Sequence, residues 1–152
     1  MSQEDKIDIK QLNIWFTDNH VIRGVDLKIR SNTVTAIMGP SGCGKSTMLR
    51  ALNRMNDEIK SCKTTGEVFI SGKNVYDRST NVYDLRRQVG MVFQKPNPLP
   101  KSIFENVAFG PKIHKMAKGK KLDEIVEKSL RSAALWDEVH DRLGDNAFDL
   151  SG

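Results

Sequence analysis

The sequence predicts an α/β fold, and three observations predict it. Strand-like alternation fills the first thirty residues. A short apolar stretch then runs straight into a glycine-rich loop followed by a helical pattern. Beyond about Gln94 the periodicity is helical alone. The 152 residues fit one ordinary domain or most of a larger one. A chain of this size buries roughly 68–70% of its unfolded surface, enough for a real core.

Taken in order, Ile7, Ile9 and Leu12, then Val25, Leu27 and Ile29, recur with polar residues between them and read as half-buried strands. Val34-Thr35-Ala36-Ile37-Met38 is apolar and partly β-branched, so it predicts a buried strand that Gly39-Pro40-Ser41-Gly42-Cys43-Gly44 ends. Met48, Leu49, Leu52 and Met55 share helical spacing and predict a helix over 45–55. Residues 56–65 are polar and read as a connection. Glu67 to Ser71 predicts a strand turning at Ser71-Gly72, and Val89 to Phe93 another, ending in Gln94. Pro96, Pro98 and Pro100 then forbid either regular structure. Ser102 with Glu105 forms a capping box that starts a helix. Leu122 to Leu135 carries one apolar stripe, and 135–143 reads as a further short helix. The chain thus divides by character into a β-rich portion, 1–95, and a helical portion, 96–152, without internal repeats or low-complexity tracts.

Hydrophobic residues make up 38% and charged residues 28%, a globular profile that excludes a disordered chain. No apolar run approaches the roughly 18 residues that span a bilayer. The opening MSQEDKIDIK lacks the apolar core of a secretory signal, so a cytosolic protein is expected. Cys43 and Cys62 offer neither a disulfide framework nor a CxxC pair. The net charge of +5 permits nucleic acid or an anionic surface as a neighbour. Five lysines lie between Lys112 and Lys121, but no aromatic residue interleaves them. They read as a solvated face, and nucleic acid is not an expected partner.

Gly39 to Ser46 matches G-x-x-x-x-G-K-[ST] at every required position, between a predicted strand and a predicted helix. A triphosphate needs several converging donors, and consecutive backbone N–H groups supply them only in a tight curl that glycines permit. The following helix N-terminus adds partial positive charge. Gly39, Pro40, Ser41, Gly42, Cys43 and Gly44 would cradle the phosphates. Lys45 would reach the β- and γ-phosphates, Ser46 would hold Mg²⁺ through its hydroxyl, and Thr47 would donate to the α-phosphate. Cys43 lies inside the loop, so alkylating its thiol is expected to block the site sterically. The fold class follows: α/β of the phosphate-loop NTPase type.

Further segments carry a resemblance. Gly39 to Thr47, Gln94 after an apolar run, and the terminal Leu150-Ser151-Gly152 resemble, in order and spacing, the phosphate loop, Q-loop and start of the signature motif of ABC ATPases. Arg86-Arg87-Gln88-Val89-Gly90-Met91-Val92-Phe93-Gln94-Lys95-Pro96-Asn97-Pro98-Leu99-Pro100-Lys101-Ser102-Ile103 is similar to the ATPase subunits of bacterial high-affinity phosphate importers. So are Glu105 to Pro111 and Ala133 to Val139.

That resemblance implies ATP and Mg²⁺ as ligands. It also implies an antiparallel β portion, a partial RecA-like core and a helical subdomain. Phe16 would stack on adenine, where the family more often has Tyr, with Trp15 the alternative. Gln94 would join Lys45 in catalysis, contact Mg²⁺ and sense the membrane subunit. Ser151 and Gly152 would close over ATP held by a second, identical subunit. The implied partners are membrane permease subunits and, indirectly, an external phosphate-binding protein. The implied place is the cytoplasmic face of the membrane. An ATPase subunit of another importer, for an amino acid or a metal, or a soluble ABC protein remains an alternative.

The family continues past its signature into a Walker B strand and a switch histidine. The sequence ends at Gly152, and His20, His114 and His140 match no family position and no metal spacing. The fold is therefore expected to be incomplete at its C-terminus. The 152 residues are expected to bind nucleotide weakly and hydrolyse it hardly at all.

Overall fold

The computed structural model describes residues 5–150. By its internal contacts the chain forms two compact units, the first running to Met91 and the second starting at Val92.

In the first unit, β1 (Asp5–Phe16) and β2 (Asn19–Arg30) form a hairpin across Thr17 and Asp18, with Thr17 at a φ of 55°. The chain continues through α1 (Lys45–Leu52), a 3-10 turn at Met55–Glu58, β3 (Cys62–Ile70), β4 (Lys73–Asn74) and α2 (Val82–Gln88). The sheet is antiparallel throughout, in the order β2-β1-β3-β4. Its buried face carries Ile9, Leu12, Ile14, Ile22 and Val68, packed with Met48 and Ala51 of α1.

The spacing of Ile9, Leu12 and Ile14 breaks strict alternation because β1 bulges at Gln11, which has a φ of 46°. The extra residue keeps all three side chains on the core face. The bulge is held by Asp26, whose carboxylate accepts from Gln11 N at 2.7 Å and from the Gln11 side-chain amide. Opposite it stands Gly66 at a φ of 95°; a Cβ there would lie 2.3 Å from the Gln11 carbonyl oxygen. Only glycine fits that crossing.

The C-terminal end of α1 is closed by side chains from later in the chain. Tyr76 Oη donates to Ala51 O at 3.1 Å. From α2, Arg86 donates to Asn53 O at 3.2 Å and Arg54 O at 2.9 Å, and pairs with Glu58 at 2.8 Å. Carbonyls that a helix end leaves unpaired are thereby satisfied. Helix α2 itself was not legible as a periodic pattern, since Leu85 is its one buried residue. Its signal is Asn81, whose side chain accepts from Tyr83 N and Asp84 N as an N-cap.

Three sequence expectations need correction. Residues 33–40 form no strand, and Val34 and Met38 are 102% and 89% exposed. Residues 89–93 form none either, with Val92 at 99%. A strand exists only against a hydrogen-bonding neighbour, and among the described residues neither segment has one. The third correction concerns 56–65, read as a connection. It contains the 3-10 turn and the first residues of β3, whose Cys62 and Lys63 pair with Phe16 and Trp15.

The second unit packs α3 (Ile103–Ile113), α4 (Lys120–Ser132) and α5 (Trp136–Val139) around Ile103, Ala108, Leu122, Val126, Leu130 and Val139. Ser102 caps α3 as expected, its hydroxyl accepting from Glu105 N at 3.1 Å. The Glu105 carboxylate faces Lys101 at 3.9 Å. The stripe on α4 holds as far as Leu130, and the helix ends at Ser132 because Ala134 turns to a φ of 56°. No helix among the described residues is long and apolar enough to cross a membrane.

Burial pushes the Tyr76 phenol up to about 12, because removal from water penalises the phenolate, and the neutral hydroxyl donates to Ala51 O. Its contribution to stability is complete below the ordinary value near 10 and is lost as pH rises towards 12. Tyr76→Phe is expected to cost about 0.5–1.5 kcal/mol at neutral pH. The gap from wild type should narrow between pH 10 and 12, as read from urea midpoints at each pH.

Candidate phosphate loop

Residues 39–44 lead from the irregular segment after β2 into α1, themselves without regular structure. The loop turns where Cys43 N donates to Pro40 O at 3.4 Å, with Gly42 and Gly44 in left-handed conformations. Gly44 serves as the N-cap of α1, so no side chain caps that end, and no acidic residue stands in its first turn. The leading N–H groups of α1 therefore keep their capacity for an anion from outside the chain.

Why Gly44 must be glycine is a packing question as much as a conformational one. A Cβ there would come within 2.8 Å of Ile22 Cδ1 and 3.0 Å of Val21 Cγ1. Both belong to β2, so the loop rests on the sheet with no room between them. Behind α1, the fully buried Asn56 donates from Nδ2 to Thr47 O at 2.9 Å and ties the first turn to the 3-10 turn.

Lys45 reaches back over the loop. Its Nζ donates to Gly39 O at 2.8 Å and Pro40 O at 2.6 Å, and lies 3.7 Å from Cys43 Sγ. No carboxylate among the described residues pairs with it. Ser46 and Cys43 are exposed and Thr47 is half-buried. Gly39 to Thr47 are thus one local cluster, with a cation, a thiol and a hydroxyl along it.

Phe16 and Trp15 differ in their surroundings. Phe16 packs with the core cluster that contains Ile14, Met48 and Ala51, on the α1 side of the sheet. Trp15 lies on the other side. There His20 stacks on it at 4.2 Å between ring centroids, and Lys63 Nζ lies 5.7 Å from the ring. His20 is a cross-strand partner of Trp15, and its Nε2 donates to Asn13 Oδ1 at 3.0 Å.

Gln94 belongs to the second unit, whereas the loop belongs to the first; its side chain is exposed in an irregular segment. Ser151 and Gly152 lie outside the described residues. The supporting roles of Asn56 and Arg86 were missed by sequence reasoning. Asn56 belongs to no motif, Arg86 only opens the segment that carries the resemblance, and their fold neighbours alone reveal these roles.

A separate concavity of about 780 Å³, lined in part by Lys73, Asp77, Asn81 and Arg87, contains none of the expected site residues. Much of its polar lining is already engaged. Asp77 accepts from Ser79, which holds its carboxyl below the ordinary range, and Asn81 caps α2.

Residues 22–152 match the family model described as ABC transporter. A phosphate import ATP-binding protein, PstB, of Oceanobacillus iheyensis is 59% identical over 145 residues, covering 95% of this chain and 52% of the relative. The protein of the same name from Ehrlichia ruminantium is 58% identical over 153 residues, covering 100% and 60%. The chain thus spans little more than half the length of the curated relatives it matches. Among solved structures, CbiO1 of Clostridium perfringens, part of the ABC transporter complex CbiONQ, aligns with a TM-score of 0.71 and 26% identity. That alignment covers 97% of this chain and 57% of CbiO1. A bacterial Atm1-family ABC exporter with ATP bound shares the fold at a TM-score of 0.74 and 24% identity, over 99% of this chain and 25% of the exporter.

Gly44→Ala is expected to lower stability by roughly 1–3 kcal/mol, because a side chain is strained at a φ of 97° and its Cβ would press on Ile22 and Val21. Chemical denaturation beside wild type reads this directly.

Proposed function

The chain belongs to the ABC transporter family, and from that premise we propose that it binds ATP on Gly39–Thr47 and acts in the ATPase subunit of an inorganic phosphate importer. The observation that carries the reading is the loop itself. Its curl is fixed by Gly44 against β2, it leads into an uncapped helix N-terminus, and it carries an ammonium with no carboxylate partner. The 58–59% identity to proteins named for phosphate import supports the substrate.

In this reading Gly39, Pro40, Ser41, Gly42, Cys43 and Gly44 present the loop backbone to the phosphates. Lys45 exchanges its bonds to Gly39 O and Pro40 O for phosphate oxygens, and Thr47 donates to the α-phosphate. Ser46, exposed on the first turn of α1, would be a hydroxyl ligand for Mg²⁺, and the resemblance assigns Gln94 as a second. Bound ATP with Mg²⁺ would supply the free energy of phosphoryl transfer to water. Phe16, rather than Trp15, is the aromatic residue for adenine, since it lies on the α1 side of the sheet and Trp15 is engaged by His20. Ser151 and Gly152 would meet the nucleotide of a second copy. Residues 96–152 would form the helical subdomain that meets the permease at the cytoplasmic face of the membrane, with the phosphate-binding protein acting from outside. Turnover would further require residues that the resemblance places after the signature.

The test is ATP binding and Mg²⁺-dependent phosphate release by these 152 residues beside a chain completed to the length of its relatives. Binding by both, with turnover in the longer chain alone, is the expected result. Lys45→Ala should weaken binding by about 10- to 100-fold, the worth of a charge-assisted hydrogen bond. Turnover by the 152 residues alone would contradict this assignment of roles. Complete alkylation of Cys43 should remove ATP binding, and an unchanged affinity after modification would reject the steric placement of the thiol.

A further inference from the structure

The three prolines between Gln94 and α3 build no element of their own, so their path must be fixed by something else. Asn106, on the first turns of α3, supplies that. Its Oδ1 accepts from Leu99 N at 2.7 Å. Its Nδ2 donates to Leu99 O at 3.1 Å, Lys101 O at 3.2 Å and Ser102 O at 2.9 Å. Both backbone groups of Leu99 thus bond to one side-chain amide, as they would to a neighbouring strand. Among side chains of this length, only an amide offers an acceptor and two donors together.

The adjoining residues 101–104 are held to the 143–147 segment by backbone alone. Ile103 N donates to Asp145 O, Phe104 N to Leu143 O and Ala147 N to Lys101 O, each at 3.0 Å, and Ser102 bridges Asn146. Two N–H groups at the start of α3, which a helix leaves without internal partners, are spent on the 143–147 segment. That segment continues through the 3-10 turn Ala147–Asp149, capped by Asn146 on Phe148 N at 3.1 Å, into Leu150. Ile103 and Ala147 are both buried in the core of this unit. Segments about forty residues apart in sequence are therefore joined as one piece, and Asn106 fastens the proline segment to it.

We infer that Asn106 is a positioning residue that makes displacements of the 96–100 segment reach the 143–150 segment. The inference rests on the proposed reading, in which the helical portion meets a permease and Leu150 leads into the nucleotide-facing signature. A purely local role would alter stability and leave the transmission intact.

The experiment uses the complete transporter in lipid vesicles, with ATP turnover measured with and without phosphate-loaded external binding protein. Asn106→Ala is expected to keep ATP affinity and basal turnover within about twofold of wild type, while stimulation by the binding protein falls at least about fivefold. Full stimulation in Asn106→Ala overturns the inference. Absence of stimulation in the wild-type transporter counts against the importer reading instead. The inference is then decided by hydrogen exchange on the ATPase subunit alone. Leu99, Ile103 and Ala147 amides should lose protection together in Asn106→Ala, and an unchanged Ala147 beside an opened Leu99 overturns it. If Asn106→Ala does not fold, Asn106→Asp keeps the acceptor for Leu99 N and lacks the Nδ2 donors, and the same readouts apply to it.

Discussion

The contact of Gly44 with β2 governs the first unit, because it sets the height at which α1 begins. With no Cβ to hold it off Ile22 and Val21 directly beneath, the helix starts as low on the sheet as it can, and Met48 and Ala51 fall onto its buried face. A side chain at Gly44 would lift the N-terminus of α1 and separate Met48 from Ile14 and Ile22. Packing of the core and curl of the loop are therefore one constraint. A residue type that looks like a requirement of phosphate chemistry is equally a requirement of folding.

The two ends of α1 are treated differently, and the difference has functional meaning. At the C-terminal end, Tyr76 and Arg86 satisfy the carbonyls of Ala51, Asn53 and Arg54. At the N-terminal end no side chain caps and no carboxylate approaches, and the helix begins with Lys45. A lysine in the first turn opposes the helix dipole, costing typically 0.3–1 kcal/mol. A cap or an acidic residue there would stabilise the helix and exclude an anion. The sequence instead carries glycine, lysine and serine, which is consistent with a site kept open for phosphate rather than optimised for stability.

How much of this was legible in the residues varies with the range of the forces involved. Strands β1 and β2, the loop, α1 and the Ser102 cap could be read because their signals are local: alternation, a fixed glycine spacing, a capping box. The β3 start at Cys62 could not, because Lys63 and Thr65 look polar and pair only against a bulged β1. Val34 to Met38 and Val89 to Phe93 were read as strands for a sound reason, since apolar β-branched runs belong in sheets. The pattern states what a segment would bury and says nothing about whether a neighbour is present to pair with it. Their exposed Val34, Met38 and Val92 mark where local preference lacks its tertiary complement.

The site shows the same division. The motif gave Gly39 to Thr47 as a cluster, because its chemistry depends on consecutive backbone groups. The resemblance put Phe16 ahead of Trp15, but their separate surroundings depend on the parity of β1 after its bulge: Ile14 and Phe16 pack on the α1 side, and Trp15 meets His20 across the hairpin. One residue of slip would exchange the two aromatic side chains between faces. The pair Gln11–Asp26 and the close crossing at Gly66 prevent that slip. Which of the two rings lies on the α1 side thus traces to a bulge in the middle of the strand, five residues upstream of Phe16, and to a glycine on the neighbouring strand.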